Sequence, residues 1–486
     1  MTTKAGGHLA IDLGAESGRA FVGSFSSEVQ VAEIGRFRNV PLVLPDRTCW
    51  NITGILQFIL DSISAAGQVD SLSIDSWGVD FGLLRADGSL VALPRCYRDQ
   101  LNQGMAERML ARVSPLEVYR QTGIQMMEIN TICQLLALAQ KRPDELAQAE
   151  TLLLVPDLLR YWLGGDPVVE RTNASTTQML RPDGTWAAEM VQLAGIDPGL
   201  LPAVAESTAI TGHTRGGIPL IAGASHDTAS AVAGAPLTDG SVFISCGTWS
   251  LVGSELAVPV ISDRALALNL SNEQGVNGTT RLLRNVMGLW LLQECRREWE
   301  AQDGRATDYP DLTRMAEAST DEPSLIDPDD PAFLRPTSME GAIRAYCDDT
   351  EQGSPANRGE IVRCILTSLA LRYRWVIEAL QVAGAPAAER INIVGGGSLN
   401  SFLCQATADA TGRTVEAGPA EATVLGNLLV QAVATRQVSS ILDGREVIRR
   451  SFAIVTYRPR GGGQWEKKYE RFCALGPATT SPQSRS

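Results

Sequence analysis

The sequence predicts an α/β fold made of two like-patterned halves that face a shared cleft. Three observations carry that prediction. Two apolar–turn–apolar segments, His8 to Phe25 and Gly240 to Gly253, each set glycine and hydroxyl residues between strand-like runs. Between them, Gly217 to Ala233 reads as a buried strand (Ile218 to Ala222), a break at Gly223, and small residues opening a helix, with Asp227 at the handover. A third run leads an apolar strand from Arg390 through Gly395-Gly396-Gly397 into a helix over Ser401 to Thr411. Side chains at such handovers point into the crevice beyond the carboxyl ends of a sheet.

Each element follows in chain order. The turn Gly14 to Gly18 leaves N–H groups to face a phosphate, and Asp12 ends the strand before it. Taken alone, these residues fit an ordinary hairpin equally well. Asn51 to Ala66 has the spacing of an amphipathic helix. Val69 to Leu84 is a strand that ends in Asp75-Ser76-Trp77-Gly78-Val79-Asp80-Phe81-Gly82, where glycine permits close approach of a ligand. Trp77 also suits plain core. Asp80-Phe81-Gly82 matches a protein-kinase tripeptide, but no His-Arg-Asp loop precedes it and no G-x-x-x-x-G-K-[ST] occurs. Pro94 to Asp99 is a polar turn, with Arg98 and Asp99 read as a surface ion pair. Met126 to Gln140 and Ala147 to Leu163 carry helical spacing, and Arg171 to Gln178 reads as a hydroxyl-rich loop. Asp227 by itself could merely cap its helix. Arg284 to Trp290 opens a helix that would put Asn285 and Gln293 near one face. Ala301 to Glu360, centred on Asp327-Pro328-Asp329-Asp330-Pro331, reads as solvated surface loops. Ile361 to Ala383 is a strong helix, Val415 to Asn427 a strand, turn and helix, and Gly476 to Ser486 a frayed end.

Bulk properties narrow the function. A chain of 486 residues, 44% hydrophobic and 20% charged, suits two or three domains. A net charge of −13 without a basic stripe excludes a nucleic-acid partner. It permits a small anion held by backbone N–H groups and a metal. Nine cysteines without a C-x-x-C pair argue against zinc and against a disulfide framework; whether Cys347 and Cys364 pair stays open. No signal-peptide core or membrane-length apolar run is present, so a cytoplasmic protein without a membrane partner is expected, with a monomer favoured.

These pieces in this order resemble the FGGY carbohydrate kinases, of the actin/hexokinase/Hsp70-like (ribonuclease H-like) fold. The likeness runs from about Leu9 to about Gln431. It is carried by Ile74 to Phe81, Ala224 to Ala231, Gly247 to Leu251 and Asn285 to Gln293. The Trp-Gly-Val-Asp-Phe and Met-Gly-Leu-Trp strings resemble the branch that acts on L-rhamnulose. The resemblance implies an N-terminal sugar-binding domain over 6–237, a C-terminal ATP-binding domain over 238–465, and a partly disordered tail over 466–486. It implies that Ala15, Glu16, Ser17, Gly18 and Arg19 form one phosphate loop and Thr248 the second, and that Gln293 and Gly396 contact ATP. Gly78, His226, Asp227, Thr228 and Asn285 would hold the ketose. Asp227 would be the catalytic base, and Asp12 would lie near Mg2+ through water. The implied activity is ATP-dependent phosphorylation of L-rhamnulose at its 1-hydroxyl; L-fuculose, L-xylulose and a non-catalytic sugar or nucleotide sensor are the rivals. Glu16 and Cys246 stand where the family more often has serine, so Glu16 is expected to face away from the phosphates. Swivel points are expected near Gly234 to Gly240 and near the helix after Gly426, because a kinase must exclude water.

Overall fold

The computed structural model describes residues 7–319, 322–476 and 481–482. The chain forms two compact units. Unit 1 holds the chain to Pro236, Leu256–Arg281 and Ala422–Ser451; unit 2 holds Leu237–Glu255, Leu282–Glu421 and Phe452–Ser486. The expected single cut at 237/238 therefore misses two returns of the chain to unit 1.

The sheet of unit 1 is built from β1 (His8–Leu13), β2 (Ser17–Phe25), β3 (Val29–Arg38), β4 (Ser71–Ser76), β5 (Ile210–His213) and β6 (Pro219–Ile221), in the order β5-β6-β4-β1-β2-β3. Strands β1 and β4 are buried along their whole length and pair in parallel, which sets Asp12 opposite Asp75. Burial on both faces explains why they read as near-continuous apolar runs. The helix Ile52–Ala66 forms as its spacing predicts, with the Asn51 side chain accepting from Gly54 N at 3.2 Å.

The second return is explained by a close helix pair, Asp227–Gly234 against Ala422–Ala434. A Cβ at Gly426 would collide with the Ser230 carbonyl oxygen, and one at Gly234 with that of Ala422. Gly426 thus lies inside a packed helix and is not itself a swivel. The same helix reaches into the sheet: Gln431 Nε2 donates to Leu9 O at 3.0 Å, and Asn427 Nδ2 to Asp75 Oδ2 at 2.6 Å.

In unit 2 the strands run β9 (Thr280–Met287), β8 (Trp249–Leu256), β7 (Ser241–Cys246), β10 (Arg390–Val394), β11 (Thr414–Ala417) and β12 (Val455–Tyr457). The first two residues of β9 count with unit 1. The buried helix Arg358–Ala383 packs on Ser401–Thr411.

Several expectations are corrected. Ala147 to Leu163 is a strand, Thr151–Leu154, paired with Phe81–Leu84, and then a helix, Val155–Trp162. Arg171 to Gln178 is no open loop but two buried helical turns, the first of them capped by Glu170, which accepts from Thr172 N and Asn173 N. Asp99 is buried and faces Arg95 at 3.5 Å, so the Arg98–Asp99 surface pair does not form. Arg284 to Trp290 finishes strand β9 before the helix Trp290–Asp303, which leaves Asn285 and Gln293 on different elements. The stretch 301–360 carries the helices Tyr309–Glu317 and Met339–Asp349. Its acidic centre is an internal tie: Asp327 is buried and accepts from Arg372 Nη2 at 2.6 Å, and Asp329 Oδ1 accepts from Met287 N at 2.9 Å. The expected tail begins as a helix, Gln464–Cys473, with Tyr469 and Phe472 buried and the Tyr469 hydroxyl donating to Glu378 at 2.7 Å. The rest of that tail, 477–480 and 483–486, lies outside the described residues. Cys347 and Cys364 are buried free thiols.

Candidate active site

The candidate catalytic group stands at the start of the helix Asp227–Gly234. His226 holds the N-cap position, and no side chain caps that helix, so Asp227 is not its cap. The turn before it is fixed from below by Glu170. This buried carboxylate accepts from Thr172 N (2.9 Å), Thr172 Oγ1 (2.6 Å), Ser207 Oγ (2.7 Å), Ser225 N (3.1 Å) and Ser225 Oγ (3.0 Å). Ser225 O in turn accepts from Ser76 N at 2.9 Å, which ties the turn to the end of β4.

Three carboxylates meet there. Asp12 and Asp75 face each other across β1 and β4, and Asp227 is close enough to feel both. Asp12 Oδ2 accepts from Arg19 Nη2 at 2.6 Å, so the first hairpin supplies the counter-charge from its own second strand. Burial raises the Asp75 carboxyl well above its usual range, Asp12 adds to this, and the bond from Asn427 opposes it. Burial also raises Asp227; His226 opposes that shift and Asp12 reinforces it. The Asp227 side chain keeps 32% of its surface exposed, whereas that of His226 keeps 9%.

His226 is held on its other side. Its Nδ1 lies 3.2 Å from Arg281 Nη2 and 3.4 Å from Glu273 Oε2, and its Nε2 lies 3.5 Å from Asp227 Oδ1. Arg281, Glu273 and Glu170 escaped the sequence reading. Their one visible signal is a charged residue standing inside a strand or turn whose neighbours are buried.

Gly78 sits beside the same helix turns: a Cβ there would crowd the Thr176 hydroxyl. The next residue, Val79, has φ 69°, a strained state for a β-branched residue. It is pinned by Thr176 Oγ1, which accepts from Val79 N (3.1 Å), and by Thr131 Oγ1, which donates to Val79 O (2.7 Å). Behind it, Asp80 accepts from Trp50 Nε1 (2.6 Å), Trp77 Nε1 (3.0 Å) and Gln134 Nε2 (3.0 Å), so the Asp-Phe-Gly string is core scaffolding.

Unit 1 therefore brings Asp12, Asp227 and Thr228 to one sheet end, with Ala15 and Glu16 in the adjoining turn and Ser17 to Arg19 opening β2. That turn closes through Gly14 N donating to Ser17 O at 2.7 Å.

Unit 2 gathers the other candidates. Its hairpin turn closes in the same way, Gly247 N donating to Trp249 O at 2.8 Å. Thr248 O accepts from Gly288 N (3.2 Å) and Trp290 N (3.1 Å), which brings onto that turn the link between β9, which carries Asn285, and the helix that carries Gln293. Gly397 packs on the Cys246 thiol and Gly395 on the Cys246 carbonyl. Gly396 between them has open space where a Cβ would go and no positive φ, so nothing inside the fold demands glycine there. The Gln293 carbonyl oxygen is buried without a hydrogen-bond partner. An unmet acceptor and an open glycine are what a nucleotide would complete. Among the described residues no group of three or more His, Cys, Asp or Glu forms a metal cage. Asp12 fits Mg2+ that keeps its waters and phosphate oxygens.

Comparison with known proteins bears on this arrangement. Residues 8–234 match the N-terminal domain, and 242–435 the C-terminal domain, of the FGGY family of carbohydrate kinases. The chain is 41% identical to the rhamnulokinase of Bacteroides thetaiotaomicron, over 96% of this chain and 98% of that one. It is 40% identical to that of Pectobacterium atrosepticum, over 98% of each. Among solved structures, gluconate kinase from Lactobacillus acidophilus superposes with TM-score 0.79 at 16% identity, over 99% of this chain and 100% of that one. Glycerol kinase from Plasmodium falciparum with ADP gives 0.76 at 16%, over 97% and 99%. The structural likenesses speak to the fold alone. Among the described residues, no helix is long and apolar enough to cross a membrane.

Proposed function

The chain belongs to the FGGY family of carbohydrate kinases, and on that footing we propose that it transfers the γ-phosphoryl group of ATP to the 1-hydroxyl of L-rhamnulose. The products are L-rhamnulose 1-phosphate and ADP, as in L-rhamnose degradation, and a cytoplasmic setting suits that role. The observation that carries the reading is Asp227: a part-exposed carboxylate at an uncapped helix start, among otherwise buried neighbours. Relatives named as rhamnulokinases favour this ketose over L-fuculose and L-xylulose, and an intact Asp227 argues against a sensor.

Phosphoryl transfer requires positioning, charge neutralisation and a proton acceptor. Asp227 accepts the proton of the sugar hydroxyl as its oxygen attacks phosphorus. The raised carboxyl brings the base nearer to the working pH, where such catalysis is most effective. His226, Thr228, Gly78 and Asn285 hold the sugar. The hairpin segment Ala15 to Arg19 and Thr248 offer N–H groups to the phosphates, and Gln293 and Gly396 receive the nucleotide. Asp12 would hold Mg2+ through water; when bound, the ion supplies neutralisation of phosphate charge.

An ADP-release assay over a ketose panel tests the proposal, with the phosphate position read by NMR of the product. L-Rhamnulose should give the highest kcat/KM and phosphate on C1. A higher value for L-fuculose or L-xylulose, or ADP release indifferent to sugar, would contradict it.

A further inference from the structure

The partners of His226 decide which of its nitrogens carries the proton. Arg281 is fully buried, its Nε donates to Gln274 O at 3.1 Å, and its Nη2 reaches His226 Nδ1 at 3.2 Å. A guanidinium has no acceptor atom and stays charged in proteins. A ring nitrogen that receives its N–H must therefore present a lone pair. Glu273 Oε2 is the other group facing Nδ1, at 3.4 Å, farther from the ring than Arg281 Nη2, which it meets at 3.2 Å. Nδ1 is thus an acceptor and the ring hydrogen belongs on Nε2, the atom 3.5 Å from Asp227 Oδ1.

We propose that Arg281 is a positioning residue that fixes His226 as the Nε2–H tautomer, so that His226 donates a hydrogen bond where Asp227 accepts a proton. The proposal rests on the reading of Asp227 as base. It divides the labour at one point. A sugar hydroxyl gives its proton to Asp227 while a lone pair of the same or a neighbouring oxygen receives His226 Nε2–H. No ring lone pair is left over, so His226 is no substitute base when Asp227 is lost. Glu273 compensates the buried charge of Arg281. Burial would raise this carboxyl, but it lies below its ordinary range, with the charge of Arg281 opposing burial.

The chain has three histidines, so a protein labelled with nitrogen-15 in histidine gives three ring systems, and H226N identifies the one that matters. In the full-length wild type at neutral pH, His226 should show an unprotonated Nδ1 and a protonated Nε2. In R281M that pattern should give way to the other tautomer or to averaging. Turnover should fall roughly tenfold or more, within the ~100-fold that a small misplacement can cost. The KM for ATP should stay unchanged, and R281K should recover part of both signals. A protonated Nδ1 in the wild type overturns the proposal. That spectrum needs only the H226N assignment, so it decides the matter even if R281M fails to fold. Full turnover by D227N would overturn the base instead, and it would leave the tautomer pattern in place.

Discussion

At the scale of single residues, environment sets what each carboxylate does. Asp227 is raised by burial and by Asp12, and a base must be ionised. The acid limb of the kcat/KM profile should therefore lie above the ordinary carboxylate value of 3.8, with activity lost as pH falls through it. A limb at or below 3.8 would contradict this assignment. Asp80 is a structural counterpart, pushed up to about 6 chiefly by burial, against hydrogen bonds from Trp50, Gln134 and Trp77. Its folded form binds more protons than its unfolded form between 3.8 and about 6. Its contribution to stability is then fully present below 3.8 and is lost as pH rises through about 6, by about 3 kcal/mol over a shift of ~2 units. Urea unfolding across this range should show that slope in the wild type and a flatter curve in D80N. Gly396 offers a third check. With open space at its Cβ position, G396A should keep the wild-type melting temperature yet raise the KM for ATP severalfold. An unchanged KM would remove Gly396 from the nucleotide site.

At the scale of elements, unit 1 holds a close helix pair through Gly234 and Gly426. A methyl group at Gly426 meets backbone, which cannot swing aside. G426A should cost at least the ~1–3 kcal/mol typical of overpacking, read as a lower urea midpoint with an unchanged slope. Elements with strong local signals were legible. The helices 52–66, 358–383 and 401–411 show their periodicity, and the hairpins around Gly14 and Gly247 show their turn chemistry. Asp227 was legible because a carboxylate at a strand-to-helix handover has few other places to point. Long-range partners were not. Glu170 acts on Ser225 across 55 residues, and Arg281 on His226 across another 55. Nothing in the local spacing announces either contact. The acidic run at 327–330 misled for the same reason, since Arg372 lies far along the chain. Asn285 was set on a helix because its apolar neighbours fit both periods; β9 won through pairing in the sheet.

At the scale of the whole molecule, the proposed sugar-holding groups lie in unit 1 except Asn285, and the proposed nucleotide groups divide between Ala15 to Arg19 in unit 1 and Thr248, Gln293 and Gly396 in unit 2. Sugar alone should slow hydrogen exchange around Gly78 and His226 to Thr228 in unit 1. ATP should slow it around Gly247 to Thr248, Gln293 and Gly395 to Gly397 in unit 2. Protection by sugar confined to unit 2 would refute this division. The central claim is that one carboxylate at a helix start takes the sugar proton. Single-turnover phosphorylation of L-rhamnulose by D227N, with ATP affinity measured in parallel, tests it most directly. ATP binding should stay near normal and the rate should fall by at least about a hundredfold. A D227N enzyme that phosphorylates L-rhamnulose at close to the wild-type rate would contradict it.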